Sequence, residues 1–84
     1  MGRILVADDH DSLRRALARA LTEAGHEVTE ASNGNIAIER LHETNFDVVL
    51  SDLKMGGSDG LDVLRTAKAL QSQTAVILMT AFGS

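Results

Sequence analysis

The chain has 84 residues, enough for one small domain, and its 44% apolar content excludes a disordered polymer. Its 8 basic and 12 acidic side chains give a net charge of −4 with no basic cluster, which argues against a direct nucleic-acid binder. Without cysteine there is neither a disulfide nor a thiolate metal site, and no apolar run approaches the ~20 residues of a membrane span.

Met1-Gly2-Arg3 leads straight into strand-like sequence, so no secretory signal is expected. Residues 4–7 form a short apolar run that predicts a strand buried on both faces. Over residues 11–24 the period changes. Leu13, Ala16, Leu17, Ala20, Leu21 and Ala24 recur at helical spacing, predicting a buried stripe with Arg14, Arg15, Arg19 and Glu23 turned outward. Gly25 is a natural stop. Residues 26–31 read as a more polar strand at a sheet edge, and Ser32-Asn33-Gly34 as a turn. Residues 35–43 predict a short helix. Residues 46–52 predict a third strand, apolar in its middle and acidic at its end. A glycine-bearing loop over residues 54–58 follows. Asp59 can then cap a helix whose buried side is expected to be Leu61, Leu64, Ala67 and Leu70. Residues 74–80 predict a fourth, buried strand.

Strands alternating with single helices imply parallel pairing, right-handed crossovers and an open α/β sheet. In a parallel sheet the carboxyl ends of all strands share one edge, where ligands bind. Asp8 and Asp9 follow the first strand, Asp52 ends the third and Thr80 ends the fourth. If the first and third strands are neighbours, three carboxylates converge. Such a group repels itself unless a cation relieves it. Mg²⁺ suits the site, because it takes one or two carboxylates and leaves positions for water and a phosphoryl oxygen.

Other chemistries find little support. Gly56-Gly57-Ser58-Asp59-Gly60 matches neither a dinucleotide fingerprint nor a Walker loop. His10, His26 and His42 form no metal-binding pair and read as surface residues, although His10 adjoins the acid pair. Ser12, Ser51 and Ser58 have no partner base in any recognisable arrangement.

Ile4-Leu5-Val6-Ala7-Asp8-Asp9, Phe46 to Met55, Asp59-Gly60-Leu61 and Val76 to Ala81 together resemble the receiver domain of two-component response regulators. Asp52-Leu53-Lys54-Met55 and Met79 to Ser84 are most similar in wording to the nitrogen-regulatory branch, which activates sigma-54 transcription. The resemblance spans essentially residues 1–84 and implies a flavodoxin-like sheet of order 2-1-3-4. It implies that Asp52 is the phosphoacceptor and that Asp8, Asp9, Asp52 and the carbonyl of Lys54 hold Mg²⁺. Thr80 would meet a phosphoryl oxygen, and the donor would be a sensor histidine kinase in the cytoplasm. The chemistry is self-phosphorylation at most, not that of an ordinary enzyme.

The chain also departs from the family it resembles. The family's fifth strand and last two helices are missing, and with them its phosphoryl-pairing Lys, so the domain reads as truncated and impaired. Gly56 replaces the usual Pro, which predicts a looser loop, and Ser58 stands where Met is common. Val76 to Met79 would form an apolar edge open to pairing, so a homo-oligomer or a complementing chain is expected. The competing reading is a non-signalling interaction module on the same scaffold. A flavin-binding module is disfavoured by the missing phosphate loop.

Overall fold

Strand β1 (Arg3–Ala7) lies inside the sheet, and its last four residues are buried. The computed structural model describes residues 2–79. Its elements follow in the order β1, α1 (Asp11–Glu23), β2 (Glu27–Ala31), α2 (Gly34–Glu43), β3 (Val48–Asp52), α3 (Gly60–Leu70) and β4 (Ala75–Met79). The sheet order is β2-β1-β3-β4 and every pairing is parallel, as the alternating pattern requires. Because the chain moves to opposite sides of β1 for β2 and β3, right-handed crossovers put α1 on one face and α2 with α3 on the other. Leu5 and Ala7 enter a core with Ala31, Ala37, Leu41, Phe46, Val49, Val63 and Ala67. Ile4 and Val6, buried on the alternate positions of β1, face the α1 side.

Local signals are expressed where they depend on near neighbours. Gly25 adopts φ +99°, and the N–H groups of Gly25 and His26 return to the carbonyls of Thr22 and Leu21, closing α1. The Asn33 side chain accepts the N–H of Ile36 and caps α2. Asp59 and Asp62 form a reciprocal capping box at the start of α3. Gln71 ties three segments together. Its carbonyl accepts the N–H of Phe46 at 2.8 Å, and its amide donates to Leu41 and Thr44 at 3.1 and 2.9 Å.

Three burial expectations are corrected. In α1 the buried residues are Arg14 and Ala18, while Leu13 is 49% exposed and Ala16, Ala20 and Ala24 lie open. The helix is turned so that Arg14 reaches polar partners beneath it, which apolar periodicity does not register. In α3 the buried positions are Gly60, Val63 and Ala67, whereas Leu61 and Leu70 are 41% and 46% exposed. Close approach of Gly60 to the end of β3 sets that rotation. Strand β4 is present but only half covered, with Ile77 52% exposed, because β3 is its one strand neighbour among the described residues.

Candidate functional site

Pairing of β1 with β3 puts Ala7 beside Ser51, so the acidic residues that follow Ala7 emerge next to Asp52. Asp8 and Asp52 are buried, and Asp9 is exposed. One ligand atom from each of Asp8, Asp9, His10 and Asp52 lies within 4.8 Å of all the others. The three carboxylates expected to converge do so. Lys54 stands beside them, its N–H donating to Asp52 Oδ1 at 3.3 Å. Thr80 lies outside the described residues.

Each buried acid is oriented by a local device. Asp8 Oδ1 accepts the N–H of His10 at 2.8 Å, two residues on, and Asp52 Oδ1 accepts that of Lys54 in the same way. Such short-range bonds are a habit of Asp at turns and hold a carboxylate against its own strand end. The loop after β3 is fastened further on. The N–H and hydroxyl of Ser58 both donate to the side-chain oxygen of Asn35, at 3.2 and 2.7 Å. Ser58 therefore makes a polar tie to α2. Gly57, at φ +79°, makes the turn, and a Cβ at Gly56 would meet nothing within 4 Å.

Two side chains near the acids were not assigned a role by the sequence pattern. His10 Nδ1 lies 3.0 Å from Asp8, 3.3 Å from Asp9 and 3.8 Å from Asp52. Its pKa is raised by the hydrogen bond and charge of Asp8, then by the charge of Asp9 and least by that of Asp52, with desolvation opposing them. Adjacency to the acid pair was its only sequence signal. Arg14 is buried beneath the β1–α1 turn, where hydrophobic periodicity had placed it in solvent. Nothing in its local sequence distinguishes it from Arg15.

The donor set fits a hard divalent cation. Ligands of an octahedral Mg²⁺ at about 2.1 Å stand roughly 3.0–4.2 Å from one another. Donor atoms grouped within 4.8 Å meet that requirement after small side-chain movements, or with one carboxylate acting through water. Carboxylates so close repel one another, and a cation relieves the repulsion.

A family model described as response regulator receiver domain matches residues 4–84. The chain is 38% identical to the response regulator receiver protein CpdR of Brucella abortus over all 84 residues, which cover 70% of that protein. It is 42% identical over 80 residues to the DNA-binding transcriptional regulator NtrC of Salmonella typhimurium, covering 95% of this chain and 17% of that one. The crystal structure of response regulator protein TrrA from Thermotoga maritima in complex with Mg²⁺–BeF matches with a TM-score of 0.89 and 36% identity. That match covers 99% of this chain and 72% of TrrA.

Proposed function

As the chain belongs to the response regulator receiver domain family, we propose that Asp52 accepts a phosphoryl group from a sensor histidine kinase. The observation that carries this reading is the meeting of Asp8, Asp9 and Asp52, from two strand ends, with one carboxylate oxygen of each within 4.8 Å of the others. Asp8, Asp9, Asp52 and the backbone carbonyl of Lys54 are the proposed Mg²⁺ ligands. The bound cation supplies charge neutralisation to the carboxylates and to the incoming phosphoryl oxygens. A carboxylate oxygen of Asp52 forms the new O–P bond as the P–N bond of the donor phosphohistidine breaks, and the electron pair leaves with the imidazole. The product is an acyl phosphate with about −1.5 to −2 charge at the end of β3, by analogy with phosphate esters. Thr80, which lies outside the described residues, is proposed to hydrogen-bond a phosphoryl oxygen.

Incubation with acetyl phosphate, a small phosphoryl donor, tests this directly. Labelling is expected with Mg²⁺ and is expected to vanish with a chelator. A protein that stays unlabelled, or labels equally without a divalent ion, does not carry out this chemistry.

No helix among the described residues is long and apolar enough to cross a membrane, and a cytoplasmic site of action goes with the proposed kinase partner. The nitrogen-regulatory branch that the residues around Asp52 resemble is one of several among the similar relatives, NtrC standing at 42% identity. The 38% identity to CpdR stands close beside it, so no output domain is assigned.

Strand β4 supports a second proposal, self-association. It presents Val76, Ile77, Leu78 and Met79 half-buried or exposed, with β3 as its one strand neighbour among the described residues. An apolar strand at a sheet edge is a template for pairing with another copy. Light scattering at micromolar concentration is expected to give a dimer mass, and the mass of one chain overturns this proposal.

A further inference from the structure

Arg14 is buried among groups that belong to the turn carrying the acids. Its Nη1 donates to the backbone carbonyl of Asp8 at 3.0 Å and to Asp11 Oδ1 at 2.7 Å, and its Nε donates to Glu30 Oε1 at 3.0 Å. One planar guanidinium thus joins the end of β1, the first turn of α1 and the edge strand β2. Asp11 is paired with it, its own pKa lowered chiefly by the hydrogen bond from Arg14.

The arrangement fixes Asp8 from every side. Its N–H donates to the carbonyl of Ala31 at 3.1 Å, its carboxylate accepts the N–H of His10, and its carbonyl is held by Arg14. That carbonyl belongs to the peptide plane joining Asp8 to Asp9. Tilting the plane swings the Asp9 Cα, and with it one of the carboxylates of the pocket. We propose that Arg14 is a positioning residue for the cation site, which it serves by clamping the Asp8–Asp9 peptide without touching the ion. The assignment rests on the reading of Asp8, Asp9 and Asp52 as Mg²⁺ ligands.

Electrostatics and positioning predict opposite signs, which makes the assignment testable. Removing a nearby positive charge, by Coulomb's law alone, makes the pocket more attractive to Mg²⁺. Removing a clamp makes the carboxylates less well aimed, and loss of such outer partners commonly costs 10–100-fold in metal affinity. Arg14→Met is therefore expected to weaken Mg²⁺ binding by about tenfold. Arg14→Lys keeps the charge but loses the planar fork, so it should also weaken binding.

The measurement is Mg²⁺ titration by calorimetry on the folded protein, with thermal unfolding in chelator recorded for each variant. Arg14 as a purely structural residue would lower the unfolding temperature and leave the Mg²⁺ dissociation constant of the folded protein unchanged. An unchanged or tighter constant in either Arg14 variant overturns the proposal. Should Arg14→Met not fold, Arg14→Lys and Glu30→Gln, which loosens the grip on Arg14, carry the test, and both are expected to weaken binding. Failure of the unmodified protein to bind Mg²⁺ overturns the parent reading instead, so the two failures are separable.

Discussion

Asp52→Asn is expected to abolish Mg²⁺-dependent phosphoryl labelling while raising the thermal stability of the protein in chelator. Asparagine has nearly the shape of aspartate, and its side-chain oxygen can still accept the Lys54 N–H that Asp52 accepts. What it lacks is the anionic oxygen needed to attack phosphorus, so the loss of labelling should be complete rather than graded. The stability effect follows from burial. Asp8 and Asp52 are 2% and 6% exposed, and their ligand oxygens lie within 4.8 Å. Two ionised carboxylates at that separation repel by roughly 3 kcal/mol at an effective dielectric of 20, and the comparison is made above the raised pKa of His10, where no imidazolium 3.8 Å from Asp52 offsets it. The substitution removes that repulsion and also removes part of what Mg²⁺ relieves. Added Mg²⁺ should therefore raise the unfolding temperature of the unmodified protein much more than that of the variant. Labelling of Asp52→Asn at full yield would move the acceptor to another residue. A lower unfolding temperature in chelator would refute the account of repulsion.

Gly34→Ala is expected to destabilise the domain by about 3 kcal/mol, the upper end of ordinary overpacking costs. Helix propensity alone predicts the reverse, a gain of roughly 1 kcal/mol for alanine over glycine inside a helix. The tertiary contact decides between them. A Cβ at Gly34, the first residue of α2, would stand 1.8 Å from the carbonyl oxygen of Ser58 and 2.6 Å from its carbon. These are backbone atoms and cannot rotate away. Either α2 or the loop after β3 must move, and a displaced loop gives up the two bonds from Ser58 to Asn35. For a domain of this size, 3 kcal/mol corresponds to a fall of more than about 10 °C in the unfolding temperature. Gly56→Ala is the control, since it meets nothing within 4 Å and has no positive φ, and it should stay within about 0.5 kcal/mol. Denaturant titration compares the two. Equal stability of Gly34→Ala and the unmodified protein would show that this contact yields at little cost. Because the moving loop carries Lys54, Gly34→Ala should also weaken Mg²⁺ binding.

Much of this architecture was legible because its causes are local. An apolar run at residues 4–7, a stop at Gly25, a cap at Asp59 and acids at two strand ends are each written in a few consecutive residues. Alternation of strand and helix then restricts the connections to parallel crossovers, and the order β2-β1-β3-β4 agrees with the resemblance to the receiver family. What periodicity misjudged was the rotation of the helices. The apolar stripe of α1 pointed to Leu13, whereas the helix turned toward Arg14, whose three hydrogen bonds reach from the end of β1 to Glu30 on β2. A pattern that counts only apolar side chains gives a buried arginine no weight, however well it is paired.

The sequence by itself determined the element types, the parallel sheet and the acidic residues available at strand ends. Only the tertiary structure decided that Asp8, Asp9, His10 and Asp52 bring ligand atoms within 4.8 Å of one another, that Arg14 is buried against the Asp8 carbonyl, and that Gly34 has no room for a methyl group. The physical reason is the range of the forces involved. Backbone preference and hydrophobic period act over one or two turns of chain. Repulsion between carboxylates, a guanidinium fork and steric contact act between segments that the sequence keeps far apart and that only the packed sheet brings within a few ångströms.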